Sequence, residues 1–490
     1  MTGAEERGTT VASPAADYKV IGTRPVRSDG TDKVTGRATF GADIKLPGLL
    51  QARFLRSPYA HARIKSIDTS KAEALPGVMA VITAADIWDL DRKSARRENG
   101  VVADRYLGEL EDGEEDSDEV PALVDADLKF LRDHYLASDK VLFRGHPVAA
   151  VAAIDQFIAD EAIELIKVEY EELPLVLDFL EAMKDSSPLL HDNLYTVSLG
   201  KPGEKPSNIS QYFQHLKGDP ERGLAEADVV VEREFRTVMV HPGYIEAHVT
   251  TAFWSPEDSL TVWSGHQGHF RVRDELAELL NHPLSKVKVI PTETGGAFGG
   301  KVTTYVQPIA ALLSRKAGRP VRLALSRQET LEATGPAIGS YIKLKVGATR
   351  DGRLTSVVAY VVVEAGALPG ASIGIAKTMF GAYDVPNGRI DHYEVVVNKP
   401  KSGPYRAPGS TQATFAAESV IDEICEQIGM EPMEFRLKNA ASEGTRSLSG
   451  QVYRRIGFSE TMQAAMAHEH YLAPLGGPNR GRGAAVGYWG

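Results

Sequence analysis

The pattern of apolar and polar positions divides the chain into two regions that each mix strands and helices. Residues 50–55 alternate with period two, the mark of a strand with one buried face. Gly145-His146-Pro147 opens an unbroken apolar run, 148–154, that suits a fully buried strand. A helical stretch follows with Phe157, Ala162, Ile163 and Ile166 toward one side, and 168–170 turns back to strand. That β-α-β order predicts an α/β domain over 19–186, after a flexible leader over 1–18. Residues 187–208 read as a linker, because Gly and Pro punctuate 200–208. From 209 to 490 the pattern predicts an α+β domain. Strands are expected near 229–240, 247–254, 259–264, 286–290, 320–325, 341–348 and 354–364, the last two joined by an Asp351-Gly352 turn. Helices are expected near 269–281 and 303–317, with a long one from about Thr411 to Gly429. In that helix Ala417, Ile421, Ile424 and Ile428 recur on one face, and Gly429 is placed to end it. The closing apolar run, 484–489, reads as a strand whose bare edge needs cover, so a partner chain is expected against it. The fold class is therefore mixed, α/β followed by α+β.

Composition narrows the function. The 490 residues are 43% hydrophobic and 25% charged, values of a globular protein. No run is apolar for the about 18 residues a membrane-spanning helix needs, and the polar start lacks a signal-peptide core, so the cytoplasm is expected. The net charge of −11 argues against a nucleic-acid partner, which calls for a basic surface. Residues 109–119 hold eight acids, whose repulsion reads as a solvated loop. A single cysteine, Cys425, excludes an internal disulfide and an iron–sulfur cluster held by this chain alone. If the protein moves electrons, the relays lie on other chains. Cys425 itself borders the apolar stripe of the long helix and reads as a small core residue.

Three segments carry candidate chemistry. Thr294-Gly295-Gly296-Ala297-Phe298-Gly299-Gly300-Lys301 lies between a strand and a helix, and its glycines let backbone N–H groups approach an anion closely. Gly295, Gly300 and Lys301 fit a nucleotide-binding P-loop as far as the lysine. The next position is Val302, which has no hydroxyl for Mg²⁺, so that reading fails. Pro404-Tyr405-Arg406-Ala407-Pro408-Gly409-Ser410 sets an arginine in a stiff loop before the long helix, placed either to hold an anionic group or to make a surface salt bridge beside an ordinary cap at Ser410 or Thr411. Ser264-Gly265-His266-Gln267-Gly268-His269 ends a strand and starts a helix. Its two histidines lack a third ligand and read as polar surface rather than a metal site. Residues 241–248, with His241 and His248, read as a strand-edge turn.

In this order the three segments resemble the large molybdenum-cofactor subunit of the xanthine oxidase family of molybdenum hydroxylases. Residues 29–36 (Asp-Gly-Thr-Asp-Lys-Val-Thr-Gly) and 56–62 (Arg-Ser-Pro-Tyr-Ala-His-Ala) look like that family's hammerhead domain, continued by 145–149 and 170–174. Residues 295–301 are similar to its glycine loop. Arg406 to Gly409 with Gln412, Phe415 and Glu418 resembles its next motif, and 432–439 the helix after that. The resemblance implies a hammerhead domain followed by the first molybdopterin-binding domain. It implies that Gln267, 31 residues before Phe298, hydrogen-bonds an oxygen ligand of molybdenum. Gly295, Gly296, Phe298 and Gly299 would line the cofactor, and Arg406 would support negative charge beside it. None of them would ligate the metal directly, and the general-base glutamate would lie on a partner chain.

The departures from the pattern carry information of their own. Val302 stands where xanthine-oxidising members have an acid. Gly374, with only Lys377 nearby, stands for their substrate-orienting arginine, and Pro408 for their stacking aromatic. Together these argue against a purine. Tyr405 and Ala407 flank Arg406 where carbon monoxide dehydrogenases place a copper-binding cysteine, which argues against that reaction. Family members typically continue into a second cofactor-binding domain, and some divide the large subunit between two polypeptides, so this chain is expected to be the first half of such a pair. The implied cofactor is molybdenum–molybdopterin, the cytosine dinucleotide being one form, shared with a second-half molybdenum subunit. Iron–sulfur clusters and FAD are expected on further subunits. The implied activity is hydroxylation of an electron-poor carbon in a small molecule (N-heterocycle, aldehyde or related), with oxygen from water. Reductive dehydroxylation or hydration on the same fold is one alternative, and a scaffolding homologue without metal is another.

Overall fold

In the computed structural model, residues 19–20, 23–87, 130, 132–371 and 374–489 are described. The expected leader over 1–18 and the acidic run over 109–119 lie outside them. One seven-stranded sheet runs in the order Val287–Pro291, Leu260–Ser264, Val249–Trp254, Val321–Ala324, Leu50–Arg56, Pro147–Ala153, Val78–Thr83. Its members come from both sequence regions. Leu50–Arg56 pairs parallel with Val321–Ala324 on one side and antiparallel with Pro147–Ala153 on the other, so the two regions share one sheet. Pro147–Ala153 is buried at every position, as its continuous apolar run requires. Helix Gln307–Ala317 covers this sheet with eight consecutive buried residues, Gln307 through Ser314. Helix His269–Leu279 buries Val272, Leu276 and Leu279 in the same core.

A second seven-stranded sheet runs Val229–Thr237, Gly339–Ala348, Leu354–Gly366, Gly388–Val396, Ile209–Lys217, Tyr195–Ser198, Lys201–Pro206. Helix Ser410–Ile428 packs on it through Ala417, Ile421 and Ile424, with Ile428 half-buried and Gly429 at φ 70° as the left-handed cap. A three-stranded sheet, Lys140–Val141, Ala62–Asp68 and Lys167–Glu172, completes the N-terminal region.

Four expectations need correction. Residues 187–208 do not form a free linker: Tyr195–Ser198 and Lys201–Pro206 pair as a hairpin at the edge of the second sheet. The glycine read as a linker signal, Gly200, turns that hairpin at φ +80°. Helix Gln156–Leu165 buries Ala159 and Ala162, whereas Phe157 is 82% exposed, because small side chains let the helix approach strand Leu50–Arg56 closely. The long helix is capped by Gly409 rather than by Ser410 or Thr411. The closing run 484–489 is extended yet pairs with no strand among the described residues. Ala484, Val486 and Tyr488 instead pack against the second sheet's core, and Val486 N–H donates to Glu418 Oε2 (2.8 Å).

Candidate functional site

Hydrogen bonds between distant stretches of sequence join the three candidate segments. Gln267 follows strand Leu260–Ser264, and its side-chain oxygen faces the glycine loop, accepting from Gly299 N–H (2.9 Å) and Lys301 N–H (3.4 Å). Two backbone donors can only face the amide oxygen, so the orientation of Gln267 is set and its NH₂ group is turned elsewhere. That NH₂ meets no partner among the described residues. In return Gln267 N–H donates to Lys301 O (2.9 Å). The arginine loop meets the same turn from the other side, where Arg406 N–H donates to Phe298 O (2.9 Å).

The glycine loop has a reason for each close approach. Gly299 sits at φ +101°, and a Cβ there would lie 2.8 Å from Pro404 O. A Cβ on Gly300 would lie 2.6 Å from the Tyr244 ring. Phe298 itself adopts φ 53°, left-handed for a non-glycine residue, and its side chain is half exposed. Gly296, Phe298 and Gly299 all take positive φ, with Ala297 the exception between them, and the N–H groups of Gly296, Ala297 and Phe298 meet no acceptor among the described residues. The Arg406 side chain is exposed and makes no ion pair among the described residues. Gly409, at φ +81°, presses the arginine loop onto Gly374 and Ile375, so the short helix Gly374–Thr378 also borders this site.

Sequence reasoning passed over the segment that backs the loop. Glu246, within the stretch read as a strand-edge turn, accepts from Gly295 N–H (2.8 Å) and pairs with Lys301 Nζ (2.6 Å), both through Oε2. Lys301 is 1% exposed and its ammonium stands 5.1 Å from the centre of the Tyr244 ring. Burial pulls its pKa down, opposed by the Glu246 carboxylate. The Tyr244 hydroxyl bonds His248 Nε2 (2.7 Å) and Thr334 Oγ1 (3.0 Å). A lysine inside an apolar glycine loop signals a counter-ion somewhere in the fold, but sequence spacing does not say which acid supplies it.

Of these histidines His269 and His241 are partly exposed, whereas His266 and His248 are not surface groups. His266 is buried, its Nδ1 accepts Gly268 N–H (2.9 Å), and burial lowers its pKa to about 4. His248 is buried too and held neutral by desolvation, with the Lys301 charge adding to the effect. Among the described residues no group of three His, Cys, Asp or Glu side chains could hold a metal ion. The side-chain groups without a partner here are donors, one carboxamide NH₂ and one guanidinium, joined by three loop amides. Such a set suits an anionic, oxygen-bearing ligand, including a metal centre that brings its own sulfur and oxygen ligands, and does not suit a bare cation.

Comparison with known proteins agrees with this chemistry. Residues 201–440 match the molybdopterin cofactor-binding domain. Residues 35–107 and 89–174 match the a/b hammerhead domain of aldehyde oxidase and xanthine dehydrogenase. The chain is 33% identical over 455 residues to the nicotinate dehydrogenase large molybdopterin subunit of Eubacterium barkeri, covering 92% of this chain and 96% of that one. It is 32% identical to the carbon monoxide dehydrogenase large chain of Afipia carboxidovorans, covering 88% of this chain and 51% of that one. Quinoline 2-oxidoreductase from Pseudomonas putida 86 superposes with a TM-score of 0.76 at 28% identity, over 91% of this chain and 53% of that one. The chain thus spans nearly all of the first relative and about half of the other two.

Proposed function

The chain belongs to the xanthine oxidase family of molybdenum enzymes, as a molybdopterin-binding oxidoreductase subunit, and from that premise we propose that it forms one wall of a site that hydroxylates an electron-poor carbon. One observation supports this above the others. Gln267, the glycine loop and Arg406, far apart in sequence, are bonded to one another, and among the described residues the Gln267 NH₂, the amides of 296–298 and the Arg406 guanidinium are without a partner. When bound, the molybdenum cofactor supplies water-derived oxygen and accepts an electron pair. This chain's residues bind and orient it. The Gln267 NH₂ and the amides around Phe298 would donate to the cofactor's oxygen ligands, and the Arg406 guanidinium would offset negative charge beside it. Val302, Gly374 and Pro408 favour a substrate other than a purine, an N-heterocycle or aldehyde of smaller demand.

We assign to partner chains what this one does not supply. A second-half molybdenum subunit carries the rest of the pterin site and the general-base glutamate. Iron–sulfur and FAD subunits carry electrons away, and the assembly works in the cytoplasm, active only when complete. The match over nearly the whole of a chain named as a large molybdopterin subunit supports the division. Metal analysis of the chain purified alone and with the products of neighbouring genes tests the reading. Molybdenum found only in the complex supports it, and absence of molybdenum from both overturns it.

A further inference from the structure

A seven-residue loop that is more than half glycine does not hold one shape unaided, because each glycine carries a large conformational entropy. Something must close it, and one carboxylate touches both of its ends. Glu246 Oε2 accepts Gly295 N–H at 2.8 Å and Lys301 Nζ at 2.6 Å, and Glu246 N–H donates to Gly295 O at 3.0 Å. The segment beneath is itself fixed, since the Arg327 guanidinium donates to the carbonyls of Tyr244 and Ile245. The loop lies flush on that segment. A Cβ on Gly295 would come within 2.6 Å of Glu246 Cβ, leaving no room for an alternative seat.

We propose that Glu246 and Lys301 form a latch that positions the loop, and through it the donor of Gln267, for the ligand. The connection runs through Lys301, whose side chain is held by Glu246 while its backbone exchanges hydrogen bonds with Gln267 in both directions. Releasing the lysine therefore frees one of the two amides that set which way the Gln267 NH₂ points, and loosens the loop that carries the other, Gly299. Neither residue touches the ligand, and both act through the loop. The pair is shielded well enough to be strong, with Lys301 1% and Glu246 16% exposed. The Tyr244 ring face beneath the ammonium holds it in place. The inference rests on the functional reading for the identity of the ligand, but not for the existence of the latch.

Two readouts keep these apart. Amide hydrogen exchange of the full chain follows the latch directly. In Glu246→Gln, which keeps the shape but removes the charge, the hydrogen-bonded amides of Gly295, Gly299, Gly300 and Lys301 should exchange about tenfold faster or more, with the sheet amides unchanged. Glu246→Gln/Lys301→Met removes both charges and leaves no buried ion unpaired. It should recover thermal stability relative to the single variant while its loop still exchanges fast. Uniform acceleration across the chain, or wild-type exchange at those four amides, overturns the latch. Should Glu246→Gln not yield folded protein, the double variant decides alone on the same two outcomes. Molybdenum content of the purified complex is the second readout. Metal present in wild type and reduced in the variants joins latch to cofactor. Fast loop exchange with unchanged metal content overturns the positioning role. A wild-type complex without metal overturns the functional reading and leaves the latch to the exchange data.

Discussion

Substituting Gly299 by alanine tests whether the glycine loop and the arginine loop form one structure. The native φ of +101° lies where an L-residue is strained by about 1–3 kcal/mol. The added Cβ would sit 2.8 Å from Pro404 O, 2.9 Å from Pro404 C and 3.1 Å from Tyr405 Cα. These are backbone atoms that cannot rotate away, so relief requires the two loops to separate, an overpacking cost of about 1–3 kcal/mol. Separation stretches the Arg406 N–H to Phe298 O bond, worth about 1 kcal/mol. The low end of these terms is about 3 kcal/mol, which shifts the junction toward an open arrangement more than about a hundredfold. The cost is local. The core of neither sheet is touched, so cooperative unfolding should move little while the site loses its ligand. The assay is molybdenum per chain in the purified complex beside the thermal midpoint. Gly318→Ala is the control, at φ +62° with nothing within 4 Å of the new Cβ, so it carries backbone strain without a clash and should keep its metal. Full metal occupancy in Gly299→Ala would refute the reasoning, as would equal metal loss in the control.

Gln267→Glu keeps an acceptor for Gly299 and Lys301 but deletes the free NH₂, so the loop should stay ordered while turnover falls about 10²-fold; unchanged turnover would remove Gln267 from the site. Lowering the pH from 7 to 5 should lower the urea midpoint. His266 (pKa about 4), His392 (about 3) and His248 are buried neutral in the fold, whereas the unfolded chain protonates near 6.5. Native pKa values below the unfolded value mean stability is whole above about 6.5 and falls as pH drops toward 4, by about 1.4 kcal/mol per unit for each histidine fully in that window. A flat profile would show that these rings are solvated. Arg436→Met strands the buried Glu418 carboxylate, which Arg436 Nε contacts at 2.8 Å, and should cost about 3–5 kcal/mol by chemical denaturation. A smaller loss on Arg436→Met in a Glu418→Gln background would confirm the pairing.

Period-two and period-3.6 patterns make most elements legible in the amino-acid sequence alone, because burial on one face leaves the same mark on the chain wherever it occurs. Leu50–Arg56 and Ser410–Ile428 are of this kind. Where pattern fails, a longer-range contact decides. Gly200 resembles linker because glycine marks both loose and tight turns, and the neighbouring strand at 209–217 selects the tight one. Phe157 resembles core because it is apolar, yet the helix seats on its alanines, a choice set by the strand beneath. The candidate site is legible as three segments, each recognisable by its glycines or its arginine. That they meet is implied by the family resemblance and not by the pattern itself, and Glu246 is given by neither, since a buried ion pair across 55 residues leaves no periodic trace.

Topology explains why the segments meet. Leu260–Ser264 and Val287–Pro291 run parallel and in register, Leu260 against Val287 through Ser264 against Pro291, so both chains leave the first sheet at the same end. One goes straight into Gln267 and the other into the glycine loop. In the second sheet Leu354–Gly366 and Gly388–Val396 are also parallel and end together. Beyond them the chain turns back along its neighbour, with Ala367 N–H donating to Lys399 O (2.7 Å) and Gly403 N–H to Pro336 O (2.8 Å), before reaching Arg406. Carboxyl ends of parallel strands are where open sheets place their ligands, because the helices that follow present N-terminal amides there. Here two sheets bring such ends face to face, and helices starting at His269, Gln307 and Ser410 all follow the loops that meet. A single sheet would offer an anion one wall of donors. The junction of two offers donors from opposed sides, which is what a centre carrying several oxygen ligands requires, and it makes the geometry of the site depend on the hydrogen bond between Phe298 and Arg406 that joins them.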